Sequence, residues 1–125
     1  MPAAAAPDRR GGTGRLGSVL ELTRVFLAPG AMADSYAGLV LVSLESDASP
    51  TAGTFVGTAL TSVCLYAFGM VSNDLLDLRK DRREAPGRPL PSGRVSTSSA
   101  VLLAGALLGA ALFPFIYHLV ARKAL

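Results

Sequence analysis

The chain is poor in the residue types that most often carry chemistry in soluble enzymes. Its 125 residues include one cysteine and one histidine, and aromatic residues make up 6%. A single cysteine excludes an intrachain disulfide and leaves no metal-ligand spacing. Cys64 lies inside an apolar run, where a thiol packs as a small hydrophobe. His118, near the end of an apolar stretch, reads as a packed or interfacial residue and is left out of the site. The basic residues are not interleaved with aromatics and flank apolar runs, so the net charge of +3 is not a nucleic-acid footprint. Met1 to Arg15 are mainly Ala, Pro, Gly and Arg, with no apolar core of a signal peptide. Residues 1–20 therefore read as a flexible cytoplasmic tail. There are no internal repeats.

Half of the residues are hydrophobic and only 17% are charged. The apolar residues are gathered in blocks, which is the distribution of a polytopic membrane protein and not of a soluble core. The predicted class is all-α. Helices are expected over about 26–44, 51–81 and 97–120, within a domain covering 21–125. Each apolar block is roughly 20 residues, or about 30 Å of helix, enough to cross a bilayer. Gly, Ala, Ser and Thr are common in all of them, as in membrane helices packed on one another. Pro29-Gly30 is expected to kink or unwind the start of the first block. Asp34 lies inside that block, where exposure to lipid would cost about 2.5–3.5 kcal/mol. It is therefore expected to face the bundle interior or a wet cavity, either as a substrate contact or as a structural hydrogen-bond partner.

The short loop Glu45 to Pro50 carries Glu45 and Asp47 and no basic residue. The loop from Asn73 to Thr97 carries Arg79, Lys80, Arg82, Arg83, Arg88 and Arg94, and the N-terminal region adds Arg9, Arg10, Arg15 and Arg24. The positive-inside rule places the N-terminus and the 73–97 loop in the cytoplasm, in an integral, multi-pass protein of the cell membrane. Arg122 and Lys123 fall on the other side and weigh weakly against this. Pro86, Pro89, Pro91, Gly87 and Gly93 make the long loop turn-rich. Ser96, Thr97 and Ser98 are candidate N-caps for the helix that follows.

The second block ends in Asn73-Asp74-Leu75-Leu76-Asp77-Leu78-Arg79-Lys80-Asp81. At about 100° per residue, Asn73, Asp74, Asp77 and Asp81 fall within an arc of roughly 100°. Carboxylates gathered near the hydrocarbon boundary repel one another and resist desolvation. A bound Mg²⁺ relieves both penalties and bridges carboxylates to phosphates. The residues thus point to a metal–diphosphate site. The alternative is a solvated helix end, with Asp77 and Asp81 paired to Arg79, Lys80 or Arg83.

The string N-D-x-x-D-x-x-x-D is followed by Arg88-Pro89-Leu90-Pro91-Ser92-Gly93. The two together resemble the UbiA superfamily of intramembrane prenyltransferases. In that family the first Asp-rich motif closes the second helix and an R-P-L-P-S-G stretch leads into the third. The resemblance runs from about Glu21 to Val120. It implies transfer of an isoprenyl group from a polyprenyl diphosphate to an aromatic or other acceptor. It further implies Mg²⁺ held by Asn73, Asp77 and Asp81, with Asp77 and Asp81 catalytic. Asp74, Arg88 and Arg94 would support the diphosphate. Tyr66, about two turns deeper on nearly the same face, would shield the allylic cation, unless it simply packs.

Family members are larger bundles with two pseudo-symmetric halves and a second Asp-rich motif in the later half. No Asp or Glu occurs from Ser96 to Leu125. Three membrane helices of a larger UbiA-type bundle are therefore expected here, carrying half of the metal site. The rest would lie on a missing segment or on another chain. The runner-up is a non-catalytic membrane remnant or small subunit that binds a prenyl diphosphate or a partner. A phosphatidyl-alcohol transferase is disfavoured, because its motif needs Gly and Arg between the carboxylates.

Overall fold

The computed structural model describes residues 14–46 and 49–123. The described residues are mostly helical and contain no strand. Helix α1 spans Arg15–Thr23, and a short 3₁₀ turn, Val25–Leu27, leads into α2, Ala28–Glu45. Helices α3, Ala52–Leu76, and α4, Leu78–Glu84, follow, and then α5, Thr97–Lys123. The segments Val25–Glu45, Ala52–Leu76 and Thr97–Tyr117 are each long and apolar enough to cross a membrane.

Local chemistry accounts for the boundaries. The Thr51 side chain caps α3 by accepting from the Thr54 amide at 3.2 Å. Ser96 does the same for α5, accepting from the Ser99 amide at 3.1 Å. Pro29 stands in the first turn of α2, where no partner for its nitrogen is needed, so it starts the helix instead of unwinding it. Residues 15–20, placed in the tail by sequence, are the opening turns of α1.

Helix α3 is central, with α5 packed along one side and α2 along another. The seams use small and hydroxylated residues, because lipid supplies no hydrophobic drive between membrane helices. Ser62 donates to Ser35 at 2.6 Å, and Tyr36 donates to the carbonyl of Phe55 at 3.2 Å. Pro114 lies within α5 and cannot donate to its ladder. Thr61 of α3 donates across the seam to the carbonyl of Ala111, at 3.2 Å. Asp34 is exposed on α2 and does not face the interior of these helices. Its neighbour Ser35 takes the seam with α3, and one residue of helix rotates Asp34 off it by about 100°.

Among the described residues, a continuous apolar core sits at the end of α3 that carries the acidic string. Leu22 of α1, Val71 of α3, Leu90 and Val95 of the loop, and Ala100 and Ala104 of α5 are all buried together. Leu90 is held inward by a loop that closes on itself: the Ser92 amide donates to Arg88 at 3.0 Å and the Val95 amide to Pro89 at 3.0 Å. Gly93, with φ +76°, makes the reversal that a side chain would strain. A helix of nine residues is marginal alone. Leu22, fully buried, is what keeps α1 in place. Leu22→Ala is expected to lower stability by about 2–4 kcal/mol. Leu16→Ala, at a position 73% exposed, should change it by less than about 0.5 kcal/mol. Thermal unfolding of the two variants in detergent checks the difference.

Candidate functional site

Asn73, Asp77 and Asp81 are each four residues apart, and their backbones form one hydrogen-bonded string. The Asp77 amide donates to Asn73 at 2.9 Å, the Asp81 amide to Asp77 at 2.8 Å, and the Ala85 amide to Asp81 at 2.8 Å. The helix yields at Asp77, whose φ of −84° and ψ of 2° separate α3 from α4. The expected single helix over 51–81 is thus two helices in register. Four residues rotate a side chain by about 40° beyond a full turn. The stripe therefore slides from exposed Asn73 to half-buried Asp77 to buried Asp81. Asn73 donates to Asp77 at 3.4 Å, so the two outer members touch.

Asp74 and Asp81 are both 5% exposed and turn toward the rest of the protein. A buried carboxylate requires a counter-charge. For Asp81 it is Arg88, whose guanidinium donates at 2.6 Å. The same Arg88 nitrogen is 4.0 Å from Asp74, and Arg24 approaches that carboxylate to 3.5 Å. Hydrogen bonding to Asp81 pushes the Arg88 guanidinium above its ordinary range, so it stays charged at any working pH. Oδ1 of Asp74 is buried, and no hydrogen bond reaches it. Among the described residues, Asp77 and Asp81 do not pair with Arg79, Lys80 or Arg83, the partners expected of a solvated helix end: Lys80 meets Glu84 at 3.8 Å on the surface instead.

Arg94 lies apart from the carboxylate stripe. It binds Glu21 through two nitrogens, at 2.9 and 3.2 Å, and donates to the carbonyl of Gly87 at 2.7 Å. Tyr66 is half-buried on α3, deeper in the membrane segment. Sequence reasoning missed Glu21 and Arg24. Arg24 read only as a juxtamembrane positive charge, and nothing local shows that it meets Asp74 fifty residues on. Its backbone is unusual, with φ 48° and ψ 37° at the C-terminus of α1. That left-handed conformation costs a non-glycine residue about 1–2 kcal/mol.

The UbiA prenyltransferase family matches residues 35–121. The chain belongs to the UbiA prenyltransferase family. It is also 33% identical over 96 residues to a digeranylgeranylglyceryl phosphate synthase of Ignicoccus hospitalis. That alignment takes in 77% of this chain and 30% of the relative, so the chain spans about a third of the length of the curated protein it matches. No solved structure matches. UbiA membership and the three apolar helices make this an integral membrane protein related to prenyltransferases.

Mg²⁺ is the ion implied by the resemblance. The donors at this end of α3 are carboxamide and carboxylate oxygens, the ligands hard cations prefer. The orphaned Oδ1 of Asp74 marks spare acceptor capacity beside them. The residues thus fit in kind. In arrangement they do not make a complete metal site: among the described residues no three His, Cys, Asp or Glu side chains converge on one point.

Arg88→Ala would leave Asp81 buried without its partner. The expected loss of stability is about 1–3 kcal/mol. Adding Asp81→Asn should recover part of it, since a neutral amide tolerates burial better than a lone carboxylate. A thermal unfolding comparison of the two variants reads this, and a double variant no more stable than Arg88→Ala would refute the pairing.

Proposed function

We propose that this chain supplies the first acidic half of a Mg²⁺-dependent membrane prenyltransferase, which moves an isoprenyl group from a polyprenyl diphosphate to an electron-rich acceptor. The observation that carries the reading is the stripe of Asn73, Asp77 and Asp81 at the end of a membrane helix, with Arg88 set against its buried member. Hard oxygen donors beside a half-exposed guanidinium suit a metal-bound diphosphate.

In this reading Asn73, Asp77 and Asp81 hold the metal. When bound, Mg²⁺ offsets the diphosphate charge and favours its departure. Asp77, half-buried at the break between α3 and α4, accepts from exposed Asn73 and would offer its carboxylate to the metal with it. Asp74 remains buried beneath it, between Arg24 and Arg88. Arg88 has four-tenths of its side chain exposed, enough to reach diphosphate oxygens while it stays anchored on Asp81. Arg94, committed to Glu21 and Gly87, contributes by holding the loop. The isoprenoid tail lies along the apolar helices. Tyr66, about two turns deeper than Asn73 on nearly the same face, shields the allylic carbon as its bond to diphosphate breaks. The acceptor is an aromatic ring or another nucleophile. The synthase relative is named for a digeranylgeranylglyceryl phosphate, so glyceryl phosphate lipids are worth assaying as acceptors beside aromatics. The N-terminus and the loop after α4 face the cytoplasm, by their excess of arginine.

The test is Mg²⁺-dependent binding and transfer of geranylgeranyl diphosphate by the full-length protein in membranes. Removal of divalent cations by chelation should abolish both, and added Mg²⁺ should restore them. Asp77→Asn with Asp81→Asn should reduce transfer by about 100-fold or more. Unchanged binding and transfer in that double variant would overturn the assignment of this face. Binding without transfer to any acceptor would favour a diphosphate-binding protein over an enzyme.

A further inference from the structure

We infer that Arg24 is a positioning residue and that α1, through Arg24 and Glu21, clips the loop 85–96 onto the acidic end of α3. The inference rests on the acidic stripe being the diphosphate site, and it assigns a role to a segment that precedes the family match at residues 35–121.

The contacts form a closed circuit. Glu21 and Arg24 stand one turn apart on α1. Glu21 receives two hydrogen bonds from Arg94, at 2.9 and 3.2 Å. Arg94 also donates to Gly87 at 2.7 Å, which ties the far end of the loop to its near end. The next residue, Arg88, reaches Asp81 at 2.6 Å and Asp74 at 4.0 Å. Asp74 meets Arg24 at 3.5 Å, which returns the path to α1. Buried Leu22, between the two charged residues of α1, packs in the same core as Leu90 of the loop. The placement of Arg88 over the two buried carboxylates thus depends on a helix outside the motif.

The backbone of Arg24 separates this role from simple capping. It is the one non-glycine residue with positive φ among the described residues. Its amide donates to Glu21 at 3.3 Å, which ends the helix whatever the side chain is. Glycine would make that turn without strain. What arginine adds at this position is a guanidinium beside Asp74, whose Oδ1 has no hydrogen bond to compensate it.

The experiment compares the full-length protein, reconstituted in nanodiscs, with Arg24→Gly, Arg24→Lys, Glu21→Arg, and Glu21→Arg combined with Arg94→Glu. Two readouts are taken: amide hydrogen exchange of residues 85–96, and Mg²⁺-dependent binding of geranylgeranyl diphosphate. Arg24→Gly relaxes the backbone, so it is expected to fold, yet loop exchange should quicken and binding weaken by about fivefold, the scale of one half-exposed ion pair. Arg24→Lys should recover most of both. The charge swap should regain part of the loop protection lost in Glu21→Arg alone. Unchanged loop exchange in Arg24→Gly overturns the inference, as does a swap no better protected than the single variant. Faster exchange with undiminished binding overturns the positioning role. Wild-type protein that fails to bind the diphosphate, with loop exchange responding as described, sinks the transferase reading and leaves the clip standing.

Discussion

Two carboxylates buried at the boundary of a membrane segment impose the main constraint on this protein. Asp74 and Asp81 turn inward from the end of α3 and from α4, where water is scarce. Neither is tolerable there without positive charge close by. That charge arrives from two directions. Arg88 comes back from the loop, and Arg24 comes forward from α1. The apolar core of Leu22, Val71, Leu90, Val95, Ala100 and Ala104 lies at the same end and draws the same three pieces together. The polar and apolar contacts therefore select one arrangement of α1, α3 and the loop.

The opposite end of the bundle follows other rules. Its helices meet through Ser35, Ser62, Tyr36 and Thr61, with hydroxyls donating across the seams. A hydroxyl-lined cavity of about 300 Å³ opens there among α2, α3 and α5, beside Pro114 and away from the acidic stripe. Large apolar side chains such as Leu41, Leu44 and Phe113 are exposed. This is the inside-out economy of a membrane protein, in which packing and hydrogen bonds replace hydrophobic burial. The exposed apolar surface of α2, which also carries Asp34, is surface that lipid or further protein must meet.

Much of the candidate site is legible in the sequence. Residues spaced by four share a helical face, so Asn73, Asp77 and Asp81 could be placed on one stripe from their spacing alone. The break at Asp77 was not legible, because no proline or glycine marks it. The fate of the arginines was not legible either. Arg88 opens one short motif and Arg94 directly follows it, so the two look equivalent, yet one meets the acidic stripe and the other turns to α1. The opening turns of α1 look like tail in the sequence, because nine residues of modest apolar content form a helix only when something packs against them.

The amino-acid order by itself determined the membrane class, the spans and the acidic stripe. Each of these depends on local quantities: the length of an apolar run, the period of a helix, the caps at its ends. Tertiary structure alone decided which charges meet. Glu21 finds Arg94, and Arg24 finds Asp74, across stretches of chain whose ends come together only when the helices pack. An ion pair between distant residues leaves no periodic trace in a sequence, since either partner would look the same if it faced water.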